Sequence, residues 1–196
     1  MTSSLTPSIE LTNATVPEQK LEEALSRLLV QYSLSKWQYA DIVRIEADVL
    51  PHSHPVLTLS PQTRSTNYLA DTKKLLGNYL HEQLHWFLLL EDKAERSREA
   101  SATFQSLYPD LPTERSEGCG SQASNYLHIQ VNYLEYLGLS ELLGADEARQ
   151  VVASIPYYTK IYALVLEQNE QISEVMTTHQ LIPEARPPSS KRFVAI

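Results

Sequence analysis

Cysteine is nearly absent: Cys119 stands alone in 196 residues, so no disulfide can join two points of this chain. Glycine is scarce, with 5 residues. None of them builds a phosphate-cradling loop or the Gly-x-Ser-x-Gly turn that raises a nucleophilic serine. Basic residues are outnumbered, 16 against 24 acidic. The resulting net charge of −8 disfavours nonspecific binding to nucleic acid or to an anionic membrane. No uninterrupted apolar run approaches the roughly 20 residues that span a bilayer. The N-terminus also lacks the basic-then-apolar pattern of a signal peptide. Neither nucleic acid nor membrane is an expected partner, and the expected compartment is the cytoplasm.

What remains is ordinary for a folded protein, with a hydrophobic fraction of 42%. Residues 1–16 are polar and Ser/Thr-rich and read as a disordered tail. Residues 183–196, "PEARPPSSKRFVAI", carry Pro183, Pro187 and Pro188 and read as an extended C-terminal tail. Residues 17–182 are expected to form a single domain.

Within it, "PEQKLEEALSRLLVQYSL" spaces Leu21, Leu25, Leu28 and Leu29 as one helix face, with Pro17 in the first turn. "ADIVRIEADVL" approximates strand alternation, "PHSHP" a turn, and "VLTLS" a second short strand, which suggests an antiparallel hairpin. "TNYLADTKKLLGNYLHEQLHWFLLLEDKAER" reads as one long helix capped at Asp71 or Thr72. After a Pro/Gly/Ser-rich loop at 108–121, helices are expected over 121–138, 145–154 and 156–179. The fold class is α+β and mostly α: an N-terminal helix and short hairpin, then a bundle of four or so helices.

The segment "GNYLHEQLHWFLLL" sets His81, Glu82 and His85 among leucines and aromatics. Residues i and i+4 share one helix face about 5–6 Å apart, so His81 and His85 can present two imidazoles to one tetrahedral Zn²⁺. Glu82 lies about 100° further round the helix. There it can act on water held by the metal, taking its proton and later returning it. Gly77, one turn before His81, leaves room for a ligand or for a closely packed second helix. Leucine would fill a core without the cost of burying two imidazoles and a carboxylate.

"HEQLH" resembles the zincin metallopeptidases, the superfamily named for this helix. The resemblance covers 42–90 and the helix around 121–138, about half the chain. It implies a sheet whose edge strand, here "VLTLS", holds an extended peptide or protein substrate beside the metal helix. By this resemblance His81 and His85 are metal ligands and Glu82 is the catalytic base. The metzincin branch needs a glycine and a histidine soon after His85, where this chain has "WFLLLED". The gluzincin branch takes a glutamate from a later helix, and Glu135 in "NYLEYLG" matches that pattern.

His128 competes with Glu135 for the third metal position. His128, Asn132 and Glu135 fall at i, i+4 and i+7 on one stripe. The outer two are about 10.5 Å apart along the axis, at 1.5 Å per residue, too far to share one ion. If His128 ligates, Asn132 can orient His81 as an outer-shell acceptor.

Zincin-type hydrolysis also needs an oxyanion donor. Tyr157, Tyr158, Tyr162 and His179 are the candidates, with Tyr158 and His179 taken as catalytic. His52 and His54 form a His-x-His pair in a turn, and Cys119 is a possible thiol ligand, but solvated loop is the simpler reading of all three.

The expected function is therefore a zinc-dependent hydrolase, a small metallopeptidase. The alternative is a zincin-like protein holding zinc for structure or interaction without catalysis. A di-iron bundle would need a second Glu-x-x-His, and none is present.

Overall fold

The structure, a computed structural model, describes residues 6–184 and 192–194. It is mixed α and β and mostly helical. Expectations falling on residues 1–5, 185–191 and 195–196 lie outside the described residues. The chain divides into two compact units, with a boundary at Trp86–Phe87.

The first unit opens with β1 (Ser8–Leu11), inside the stretch expected to be a tail. α1 (Val16–Gln31) follows, then a single 3-10 turn at Ser35–Trp37, β2 (Ile42–Ile45) and β3 (Leu57–Leu59). The sheet order is β1-β2-β3 and every pairing is parallel, with Ser8 opposite Ile42 and Val43 opposite Leu57. The expected antiparallel hairpin is therefore incorrect. Residues 46–56 form a crossover, and only His52 turns back to make an antiparallel bridge with Thr58. Burial explains the difference. Val43, Ile45, Leu57 and Leu59 are fully buried, as strands of a covered parallel sheet are.

α1 is held at its start by a capping box in which Thr15 accepts from the Glu18 amide and Glu18 accepts from Thr15 N. The Glu18 carboxylate, fully buried, also takes N–H donors from Asn13 at 3.1 Å and from Ala47 at 3.0 Å. It thus ties both crossings of the sheet to the helix. Burial alone would raise its carboxyl, but the backbone donors of Thr15, Ala47 and Asn13 and the Thr15 hydroxyl outweigh it and hold Glu18 below its usual 4.5. A depressed carboxyl stabilises the fold above its ordinary range and loses that contribution as the pH falls. Glu18→Gln is expected to lower the melting temperature at pH 7 by about 2–4 °C, the equivalent of one lost cap. Melting curves of the variant should then change less than those of the parent between pH 5 and pH 3. Parallel curves would count against this role.

α2 (Thr72–Leu88) starts where Asp71 accepts from the amides of Lys73 and Lys74, so Asp71 is the cap. Gln83, fully buried, accepts from Tyr39 N and Ala40 N, each at 2.7 Å. The chain entering β2 is thereby fastened to α2. Trp86 Nε1 donates to Ser53 O at 2.8 Å and fixes the 50–55 loop to the same helix.

The second unit is helical: α3 (Ala94–Leu107), α4 (Gln122–Leu143), α5 (Ala145–Ala153), α6 (Thr159–Glu167) and α7 (Asn169–Thr178). Two expected helices are each divided. The long run over 66–96 is α2 and α3, separated at 89–93, and the run over 156–179 is α6 and α7, separated at Gln168. α4 is central and contacts α3, α5, α6 and α7. Its Ile129, Val131, Leu134 and Leu139 are fully buried, and a helix apolar on several sides belongs in a core. Gln130 fastens α4 to α3, accepting from Ser97 Oγ at 2.9 Å and donating to Ser97 O at 3.1 Å. Near the C-terminus, Phe193 bridges Leu90 antiparallel, with Glu91 N donating to Arg192 O and Val194 N to Leu89 O, both at 3.0 Å. No helix among the described residues is long and apolar enough to cross a membrane.

Candidate metal centre

The 3.6-residue repeat of α2 puts His81 and His85 on one face, with ring centroids 5.1 Å apart and planes at 67°. Gln83, two residues past His81, points to the other side and is spent on Tyr39 and Ala40. The polar residues of "HEQLH" therefore serve two faces. Glu82 is buried between them.

His128 lies in the second turn of α4. Its Nδ1 sits 2.8 Å from the Ser124 carbonyl. A carbonyl can only accept, so Nδ1 carries the proton and Nε2 keeps its lone pair. Donation from one ring nitrogen to a carbonyl is how ligating histidines are oriented.

His81, His85 and His128 each offer a ligand atom, and these atoms lie within 4.8 Å of one another. This buried group can hold a metal ion. Two of the three rings are nearly closed off, with His81 7% and His128 9% exposed.

Glu135 is not in the group. It is buried, and the Tyr162 hydroxyl donates to its Oε2 at 2.8 Å. Tyr158 is close to His128, ring centroid to ring centroid 4.9 Å in an edge arrangement, and Tyr157 in turn packs edge-on against Tyr158 at 5.1 Å. Tyr158 adopts a left-handed backbone, φ 54° and ψ 30°, which costs an ordinary residue about 1–2 kcal/mol. The loop before α4 holds it there. Tyr158 N donates to Arg115 O at 3.4 Å, Thr159 N to Ser116 O at 3.1 Å and Lys160 N to Glu117 O at 3.0 Å.

That loop is itself fixed by Asn125, fully buried in the first turn of α4. Asn125 Oδ1 accepts from Cys119 N at 2.7 Å, and its Nδ2 donates to Pro112 O at 2.8 Å. Neither Asn125 nor the Ser124 carbonyl had a sequence signal beyond a polar residue in a first turn. Gln83 and Gln130 had one: a glutamine two residues after a histidine in an otherwise apolar helix.

His179 is not in the group. Its Nδ1 lies 3.5 Å from Glu99 Oε2 and its Nε2 3.4 Å from Thr103 Oγ1, both on α3. Those contacts tie His179, at the end of α7, to α3. His52 is exposed, with Nδ1 at 2.9 Å from Leu50 O. His54 stacks on Trp86 at 4.4 Å, and burial, then the neighbouring His52, lower its pKa. Cys119 is buried, which pushes its thiol up to about 12 and keeps it protonated and unreactive at neutral pH. Asn132 is fully buried, and neither atom of its amide meets a partner among the described residues, so it does not orient His81 as expected.

No protein-family model, curated protein or solved structure matches the chain.

Proposed function

We propose that the chain is a zinc-dependent hydrolase, a small metallopeptidase in which His81, His85 and His128 hold the ion and Glu82 is the general base. One observation carries this reading: three imidazole ligand atoms from two helices lie within 4.8 Å of one another. Bonds of about 2.0–2.1 Å at tetrahedral angles separate zinc's ligands by about 3.3 Å, so small side-chain rotations close the set. Nitrogen-only donors favour zinc over magnesium or calcium, which prefer oxygen. Three protein ligands leave a fourth position open, the pattern of catalytic rather than structural zinc.

Zinc bound there supplies a Lewis acid that polarises a carbonyl and lowers the pKa of water toward neutrality. Glu82 then takes the proton of attacking solvent and returns it to the leaving amine. Tyr158, whose ring packs edge-on against His128, is the residue whose hydroxyl would donate to the developing oxyanion. A peptide substrate follows from the resemblance of "HEQLH" to the zincins, whose habit is amide hydrolysis. Against that resemblance, the third ligand is a histidine where the gluzincin pattern has glutamate, and β3 runs parallel to its neighbour.

A second reading, zinc held for structure alone, is favoured by the burial of His81 and His128. Both readings predict about one zinc per chain in protein purified without a histidine tag. His128→Ala should weaken zinc binding by more than the 10–100-fold typical of an outer-shell partner, and Glu135→Ala should leave it within that range. Equal effects, or no bound zinc, would remove the centre.

A further inference from the structure

Asn132 sits one turn beyond His128 on α4 and points along the same face. Its neighbours on this helix show what a polar side chain does there. Gln130 Nε2 donates to Tyr126 O at 3.2 Å and Ser140 Oγ to Tyr136 O at 2.7 Å, each bonding back four residues. His128 does the same to Ser124 O. Asn132 does not. It is 0% exposed, and both Oδ1 and Nδ2 are without a partner among the described residues.

A buried amide with neither atom bonded is rare, and leucine, nearly its shape, would carry no such cost. α2 shows a related feature in Asn78, three residues before His81, whose buried Oδ1 is also without a partner.

We infer that Asn132 is a positioning residue whose amide receives a neutral group, both donor and acceptor, held at the loaded histidine centre. This rests on the zinc reading above. An amide offers one acceptor and two donors. Its complement is a group that gives and takes a hydrogen bond, such as solvent oxygen or a peptide group. A bare cation or an apolar side chain does not complement it. Solvent and substrate share this chemistry, and they separate experimentally.

The test is zinc titration, followed by thermal melting, of the full chain carrying Asn132→Leu, with Asn132→Ala as a second variant that adds no bulk. The zinc-free Leu variant should melt a few degrees above the parent, because an unsatisfied amide is gone. The zinc dissociation constant should rise about 10–100-fold if the amide serves solvent at the centre. If it serves substrate, zinc affinity should hold while acetohydroxamate, a small amide-like probe, binds the zinc-loaded variant about tenfold or more weakly. Dissociation constants for zinc and for the probe both within twofold of the parent would overturn the inference. His128→Ala is the control. If that variant binds zinc normally, the metal reading fails. If it binds zinc poorly while both Asn132 variants behave as the parent, the Asn132 inference alone fails.

Discussion

Replacing Glu82 with glutamine is expected to lower peptide hydrolysis by about 10²–10⁴-fold while leaving about one zinc bound per chain. Glutamine has nearly the same volume as glutamate, so the buried position next to His81 is filled as before. The two helix-borne imidazoles lie on either side of it in sequence and do not depend on its charge for their spacing. What disappears is the group that accepts a proton. Turnover and metal content, measured on the same preparation, therefore separate. If zinc leaves along with activity, Glu82 belongs to the binding of the ion. If parent and variant both bind zinc and neither cleaves a broad set of fluorogenic peptides, the centre is structural.

Gly118→Ala is expected to cost about 3 kcal/mol or more, a fall of roughly 6–12 °C in melting temperature for a chain of this size. A β-carbon at Gly118 would meet Pro112 O at 1.7 Å, Pro112 C at 2.7 Å and Asn125 Oδ1 at 3.0 Å. Two of these three atoms are backbone, so no rotamer change relieves the contact. The clash falls where Asn125 grips Pro112 and Cys119. Relief must therefore open the loop whose carbonyls hold Tyr158, Thr159 and Lys160. The variant should accordingly lose activity through Tyr158 even below its melting temperature. A melting point within about 2 °C of the parent would show that the loop yields without cost.

The helices were legible where local chemistry and burial agree. α1 shows its leucine stripe and α5 its length, and Asp71 ahead of α2 is a cap by composition. The missed elements depend on distant partners. "WFLLLED" contains no glycine or proline, yet α2 stops within it because Leu89 and Glu91 pair with Val194 and Arg192. Tertiary pairing overrides helix propensity there. β1 hides in a polar segment because it is an edge strand with alternate residues exposed. Alternation reveals a strand and says nothing about the direction of its neighbour, so β2 and β3 read as a hairpin and are parallel.

At the centre, the i, i+4 rule reaches the His81–His85 pair without any fold. Grouping His128 rather than Glu135 with that pair required the fold, which sets the three imidazole ligand atoms within 4.8 Å of one another. Spacing along one helix cannot carry that information.

The way α6 begins also bears on which molecules the centre can attract. A helix start normally exposes amide protons and a partial positive charge, a ready seat for phosphate or carboxylate. Here the amides of Tyr158, Thr159 and Lys160 are already bonded to carbonyls of the preceding loop. These three amides are thus satisfied from within, and the start of α6 offers them to no anion.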